Sequence, residues 1–237
     1  MNPFDGGILT FLNGFARHSW TFDTFMSMLS ENDFLKGGVI TALLWWVWFR
    51  KGEGEEKRRE FVLSGIFSCL LAIVAARILA LTLPFRERPL RNPALHLSIP
   101  YGVNENLLIH WSSFPSDHAV LFFALATSIY FASRQVGLLA YFHVLIVICL
   151  PRLYLGIHYP SDILGGALLG IGIACLTRIT AIRDSIAQPG MRWEESHPAS
   201  FYASIFLATT QISELFGSVR QVARFIFEAM KPFLKLS

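Results

Sequence analysis

Five apolar runs, at 37–49, 61–83, 118–133, 136–151 and 163–177, dominate this chain, and only one long polar gap, between 83 and 118, separates any two of them. Inside lipid every backbone N–H and C=O must find its partner without water, which a helix does within its own segment. Several runs are shorter than the ~20 residues a span usually needs. Uncharged flanks and snorkelling by Arg50, Arg134 and Arg178 extend them to spans expected near 36–50, 61–83, 117–134, 136–152 and 161–178. With 53% hydrophobic and 16% charged side chains, the composition excludes an ordinary soluble domain, and no nucleic-acid partner is expected. The fold class predicted is an all-α integral membrane protein, a bundle of about five transmembrane helices with an interfacial amphipathic helix at each end. Residues 1–183 form its membrane domain and 184–237 a cytoplasmic linker and amphipathic tail. No cleavable signal peptide is evident, so the first span is expected to serve as its own insertion signal.

The terminal segments have helical period but a polar face. Residues 8–29 place apolar groups at 8, 11, 12, 15, 22, 25, 26 and 29, interrupted by Asn13, Arg17, His18 and Asp23, which predicts one helix lying at the membrane surface. Residues 201–230 set Ile205, Ile212, Phe216, Val219, Val222 and Ile226 against Gln211, Glu214, Arg220 and Arg224, and RDSIAQPGMRWEESHP before them reads as a polar linker. Thirteen positive charges fall on one side of a five-span topology, in the linker FRKGEGEEKRRE, at Arg134, and after the last span. The positive-inside rule makes that side cytoplasmic. Cys69, Cys149 and Cys175 lie in apolar runs without motif spacing and read as small hydrophobes. Gly166 and Gly170 permit close helix packing within the chain, and His143 reads as a core residue bonded to a neighbouring helix.

The tripeptide Pro-Ser-Asp occurs twice, in FPSDHAV and 45 residues later in HYPSDIL, each time beside a histidine. Ser or Asp at a helix start accepts hydrogen bonds from unpaired N–H groups, and the same N-terminus attracts anions. On the side opposite the basic loops the sequence collects Arg86, Arg88, Ser116, Asp117, His118, Arg152, His158 and Asp162, each at a span boundary. One such arginine can simply touch lipid phosphates. The whole set points to chemistry on phosphate: arginine forks match phosphoryl oxygens, an imidazole beside a carboxylate can attack phosphorus, and a second histidine can protonate the departing oxygen. So many arginines would repel a divalent metal, so the chemistry expected is metal-free phosphoryl transfer through a phosphohistidine, with no cofactor.

The stretches RERP, FPSDHA and RLYLGIHYPSD resemble the three signature motifs of the type 2 phosphatidic acid phosphatase family, which shares its site with vanadium-dependent haloperoxidases. The third motif, with Arg152, His158 and Asp162 at their full spacing, carries the resemblance furthest. PSDH, with Asp117 where most of the family has Gly, looks like the undecaprenyl pyrophosphate phosphatase branch. The resemblance implies His158 as nucleophile, Asp162 as the group that orients it and His118 as general acid. Arg88 and Arg152 would clamp the phosphoryl group and Ser116 would donate to it. It covers roughly 8–180 and leaves the tail unassigned.

Three positions depart from that pattern. Leu81 stands where the first motif usually has Lys, so Arg86 or Arg77 is expected to substitute. Arg77 lies inside an apolar span, where an arginine normally faces the bundle interior or water. Pro151 replaces a serine, and Asp117 would repel phosphate unless an arginine pairs with it or it points away as a cap. His110 and Trp111 are placed to line an entrance. The function expected is hydrolysis of a lipid phosphate or pyrophosphate at the extracytoplasmic face of the cytoplasmic (inner) membrane, with undecaprenyl pyrophosphate foremost. A broader phosphatidate or phosphatidylglycerol-phosphate phosphatase, a lipid phosphotransferase and a non-catalytic lipid-binding or transport scaffold stay open, as does the oligomeric state.

Overall fold

The computed structural model describes residues 2–103, 110–222 and 225–226. The chain starts with two short helices, α1 (Pro3–Asn13) and α2 (Trp20–Glu31). A π-helical turn, Phe34–Gly38, runs into α3 (Val39–Phe49), followed by the long α4 (Glu55–Thr82). Beyond the polar gap come α5 (Asp117–Ala132) and then α6 (Arg134–His143) and α7 (Leu150–Tyr154), joined by a π-helical stretch at Val144–Cys149. The last three helices are α8 (Pro160–Leu176), α9 (Thr180–Ser196) and α10 (Pro198–Ser213). All five expected apolar runs are therefore helical. Glu55–Thr82 and Arg134–Tyr154 are long and apolar enough to cross a membrane, and α8 with α9 makes a third crossing if that pair, bent by 79°, is one span. Phe34–Phe49 and α5 are shorter apolar helices.

Local chemistry sets the helix ends. Gly54 takes φ 71° ahead of α4, a conformation that suits glycine, and Glu55 and Glu56 then complement the positive end of the helix dipole. Pro160 opens α8, where its missing N–H costs nothing, and the Asp162 carboxylate accepts the Tyr159 N–H at 2.7 Å. α5 is buried without interruption from Ala119 to Ile129, so its all-round apolarity reflects a central position in the bundle. α8 packs on it closely. A Cβ on Gly170 would stand 2.2 Å from the Val120 carbonyl oxygen and one on Gly166 2.8 Å from that of Ser116, so the two glycines act within this chain. His143 bonds a neighbouring helical segment as expected, Nε2 2.9 Å from the Leu35 carbonyl oxygen, but is half-buried and not a core residue.

The terminal segments differ from expectation. Residues 8–29 are not one surface helix: the chain turns after Asn13, with Arg17 at φ 64°, and restarts at Trp20. The polar residues assigned to a water-facing side cause this. Asp23 is fully buried and accepts from the Arg17 N–H at 3.1 Å, the Tyr101 N–H at 2.8 Å and the Tyr154 hydroxyl. The stretch read as a polar linker is largely helical, in α9, with Pro189 inside it. Its polar groups bond α4: Arg183 Nε donates to Glu60 at 3.0 Å, Gln188 donates to Glu60 at 3.2 Å, and Arg59 pairs with Glu194 at 3.3 Å.

The tail also departs from its predicted place. Phe201 stacks on Trp48, Trp45 Nε1 donates to Thr209 Oγ1 at 3.3 Å, and a Cβ on Gly37 would lie 2.2 Å from the Ser213 carbonyl oxygen. α10 thus runs antiparallel to Phe34–Phe49, from its Trp48 end back to its Gly37 end, and does not stay at the basic end of the bundle. Buried Phe201, Thr209 and Ile212 fix it there. Arg224, Lys231 and Lys235, counted above with the basic side, lie outside the described residues.

Candidate active site

Three separate stretches meet where α5 and α8 begin. The Ser113 N–H donates to the Arg86 carbonyl at 2.8 Å, the Leu90 N–H to that of Gly156 at 2.8 Å, and the Ser116 N–H to that of Asp162 at 3.2 Å. These bonds draw the first arginine-bearing stretch and both Pro-Ser-Asp segments together. They border a cavity of about 550 Å³ whose lining includes Arg77, Arg88, Trp111, Asp117, His118, Arg152 and His158. Lys36 and Arg220, which no motif pointed to, line it as well.

His158 is buried, and its two ring nitrogens have different neighbours. Nδ1 lies 2.9 Å from the Ser113 carbonyl oxygen, an acceptor only, so Nδ1 carries the proton. Nε2 is left with its lone pair, 3.3 Å from the Arg88 guanidinium. Asp162 Oδ2 stands 3.6 Å from Nδ1, beyond hydrogen-bonding range, so the expected orienting bond comes from the Ser113 backbone while the carboxylate acts through its charge. Burial, assisted by the charges of Arg88 and Arg152, lowers the His158 pKa to about 4. The sign follows: the neutral imidazole persists as pH falls below ~6.5, the ordinary value for histidine, and is lost only as pH drops through the depressed one. The acid limb of kcat/KM is therefore expected near pH 4, and a limb centred near ~6.5 would mean that water reaches His158 freely.

Arg88 spans the site. Its Nη1 donates to the Ile157 carbonyl at 2.8 Å, while Nε is buried with no partner among the described residues. Burial pulls its pKa down to about 10, which leaves it charged at neutral pH. Arg152 is almost fully buried, anchored to the carbonyl oxygens of Ile148 at 2.7 Å and Ser30 at 3.3 Å, yet it too lines the cavity. Ser116 precedes α5 without capping it, and its buried hydroxyl has no partner among the described residues. The buried Arg88 Nε, without an acceptor at the cavity wall, suits an anionic group, whereas Ser116, expected to donate to it, is not among the residues that line the cavity.

The residues proposed to offset the departures separate clearly. Leu81 is 84% exposed on α4 and takes no part. Arg77 lies over the Trp111 ring, 4.6 Å from its centroid, and forms an ion pair with Asp117, the pairing that Asp117 needs beside phosphate. Arg86 does not line the cavity. Its Nη1 donates to Ser161 Oγ at 2.9 Å and also to Asp162, and its Nη2 donates to Asp5 at 2.8 Å. Asp5 in turn accepts from the Ser161 N–H at 2.8 Å, so α1 contributes a carboxylate that holds the start of α8. Asp5, Ser113, Lys36 and Arg220 were missed in the sequence, since each stands outside the three motifs.

The chain is similar in sequence to several known proteins. The chain is 26% identical over 166 residues to undecaprenyl-diphosphatase BcrC of Bacillus subtilis (strain 168), covering 70% of this chain and 78% of that one. It is 27% identical over 157 residues to the putative undecaprenyl-diphosphatase YbjG of Escherichia coli (strain K12), covering 63% and 71%. A shorter stretch of 60 residues is 38% identical to the bacitracin transport permease protein BcrC of Bacillus licheniformis, covering 25% and 29%. No solved structure matches the chain. Residues 61–184, which hold all three motifs and both histidines of the cavity, match the family model described as PAP2 superfamily, and the chain belongs to that superfamily.

Proposed function

We propose that this protein hydrolyses undecaprenyl pyrophosphate to undecaprenyl phosphate, without a metal, at the extracytoplasmic face of the cytoplasmic membrane. Membership of the superfamily and relatives named as undecaprenyl-diphosphatases make it a phosphate hydrolase acting on lipids. The observation that carries the mechanism is the His158 ring, with Nδ1 fixed by a carbonyl and Nε2 turned to Arg88 at the wall of a cationic cavity.

In the first step the Nε2 lone pair attacks the terminal phosphorus and forms the N–P bond. The bridging P–O bond breaks, its electron pair goes to the lipid phosphate oxygen, and His118 supplies the proton. In the second step water gives that proton back to His118 and attacks the phosphohistidine, releasing inorganic phosphate and restoring the neutral imidazole. Arg88, Arg152 and the Ser116 hydroxyl stabilise the charge on the transferred phosphoryl group. The cations Lys36, Arg77, Arg88, Arg152 and Arg220 supply the positive charge that a divalent ion supplies in metal-dependent phosphatases.

The reading is tested by phosphate release from undecaprenyl pyrophosphate and from phosphatidate, by detergent-purified protein in chelator. Faster release from the pyrophosphate is expected. Equal rates would favour a broad lipid phosphatase, dependence on added Mg²⁺ would refute the metal-free mechanism, and no release from either lipid would favour a binding or transport scaffold.

A further inference from the structure

Arg86 carries a positive charge close to the nucleophile without lining the cavity, and its surroundings hold it from several sides. Its Nη1 donates to Asp162 Oδ1 at 2.5 Å and to Ser161 Oγ at 2.9 Å, and its Nη2 donates to Asp5 Oδ2 at 2.8 Å. The Tyr159 ring covers its face, with the guanidinium carbon 4.0 Å from the ring centroid, and Asn92 donates to the Tyr159 hydroxyl at 3.1 Å. Asp5 is buried and accepts, besides Arg86, the Ser161 N–H at 2.8 Å and the Ser161 hydroxyl at 2.6 Å. Two buried carboxylates therefore share one cation, an arrangement that is costly to desolvate.

Asp162 has other anchors than Arg86. The Tyr159 N–H at 2.7 Å and the Ser113 hydroxyl both donate to Oδ2, the oxygen that stands 3.6 Å from His158 Nδ1. What Arg86 alters is charge. Asp162 and Arg86 alone would make a neutral pair, with little field at the imidazole. Asp5 on the other edge of the guanidinium leaves the three groups with one net negative charge. That charge matters when Nε2 bonds to phosphorus: Nδ1 keeps its proton, the lone pair of Nε2 becomes the N–P bond, and the ring turns cationic.

We propose that Asp5 is a positioning residue for phosphoryl transfer, acting through Arg86: it balances the guanidinium so that the charge of Asp162 stabilises the phosphorylated His158 ring. The role rests on the phosphatase reading, in which His158 is the nucleophile. It is supplied by α1, outside residues 61–184 that match the superfamily. A unit charge acting through this network, at the dielectric of a partly buried site, is worth about tenfold in rate.

The test follows single turnovers of terminally labelled undecaprenyl pyrophosphate by rapid quench, in full-length wild type, Asp5→Asn and Asp5→Asn/Arg86→Gln. Asp5→Asn should form the phosphoprotein about tenfold more slowly. Its hydrolysis should be no slower, because the cationic ring then leaves phosphorus as a neutral imidazole, a step that the same negative charge opposes. Adding Arg86→Gln removes the cation that Asp5 balances, so formation should return to within about threefold of the wild type. Slowing of both steps in Asp5→Asn, or a double variant slower than Asp5→Asn, would overturn the proposal and leave Asp5 a structural residue. Thermal-shift titration with orthovanadate and with inorganic phosphate reads the same charge without turnover, since vanadate accepts a fifth bond from Nε2 and phosphate does not. In Asp5→Asn the vanadate midpoint should rise about tenfold relative to that of phosphate, and equal shifts for the two anions would overturn the assignment. A wild type that binds vanadate no more tightly than phosphate would instead refute His158 as nucleophile, and the role of Asp5 with it.

Discussion

His158→Ala is expected to lower phosphate release by about 10⁴-fold or more, the scale seen when a catalytic nucleophile is removed, while the protein still folds. The fold should survive because the side chain makes few bonds: Nδ1 to the Ser113 carbonyl and Nε2 towards Arg88. Arg88 keeps the Ile157 carbonyl, and Asp162 keeps its bonds to Tyr159 and Ser113. Catalysis should not survive, since no other imidazole in the described cavity except His118 could form the N–P bond, and His118 is needed as the acid. Rapid quench with substrate labelled in its terminal phosphate should trap an acid-labile phosphoprotein in the wild type and none in the variant. Residual release within tenfold of the wild type would mean that water attacks phosphorus directly.

Arg86→Ala is expected to destabilise the fold by about 3 kcal/mol, at the low end of the cost of removing one partner from a buried ion pair, because this arginine is one-third exposed. Its guanidinium bridges two carboxylates that have almost no exposure, Asp5 from α1 and Asp162 from α8. Without it the two negative charges face each other in a medium of low dielectric, and Asp162 is left with its bonds to Tyr159 and Ser113 alone. Arg86→Lys should recover only part of the loss, as an ammonium lacks the planar fork that reaches both partners. Thermal unfolding in detergent measures the difference. A shift under about 0.5 kcal/mol would indicate that water screens the pair.

What could be read from the sequence was whatever repeats locally. Apolar length gave helix over the five runs, and the third motif gave Arg152 and His158 of the cavity wall with Asp162 behind them, because both depend on residues near one another along the chain. The single helix expected over 8–29 failed because Asp23 was treated as a surface group, although its partners Tyr101 and Tyr154 lie far away in sequence. Arg86 was expected at the phosphate and instead supports Asp162, since Asp5, which holds its other nitrogen, belongs to a helix with no motif. The tail was misplaced for a similar reason. Amphipathic period says that one face is covered without saying by what, and here the cover is Trp45 and Trp48 of α3 with Gly37 of the π-helical turn before it.

The positions of Asp5 and Arg220 have a consequence for synthesis. The carboxylate that fixes the start of α8 belongs to α1, whereas the Arg220 guanidinium lies beyond α10. A chain still on the ribosome can already hold its three motifs in the bilayer, yet its cavity lacks one wall until α10 has emerged and folded back. A product that stops before α10 would carry His118 and His158 without the part of the cavity wall that Leu215, Gly217, Arg220 and Gln221 supply.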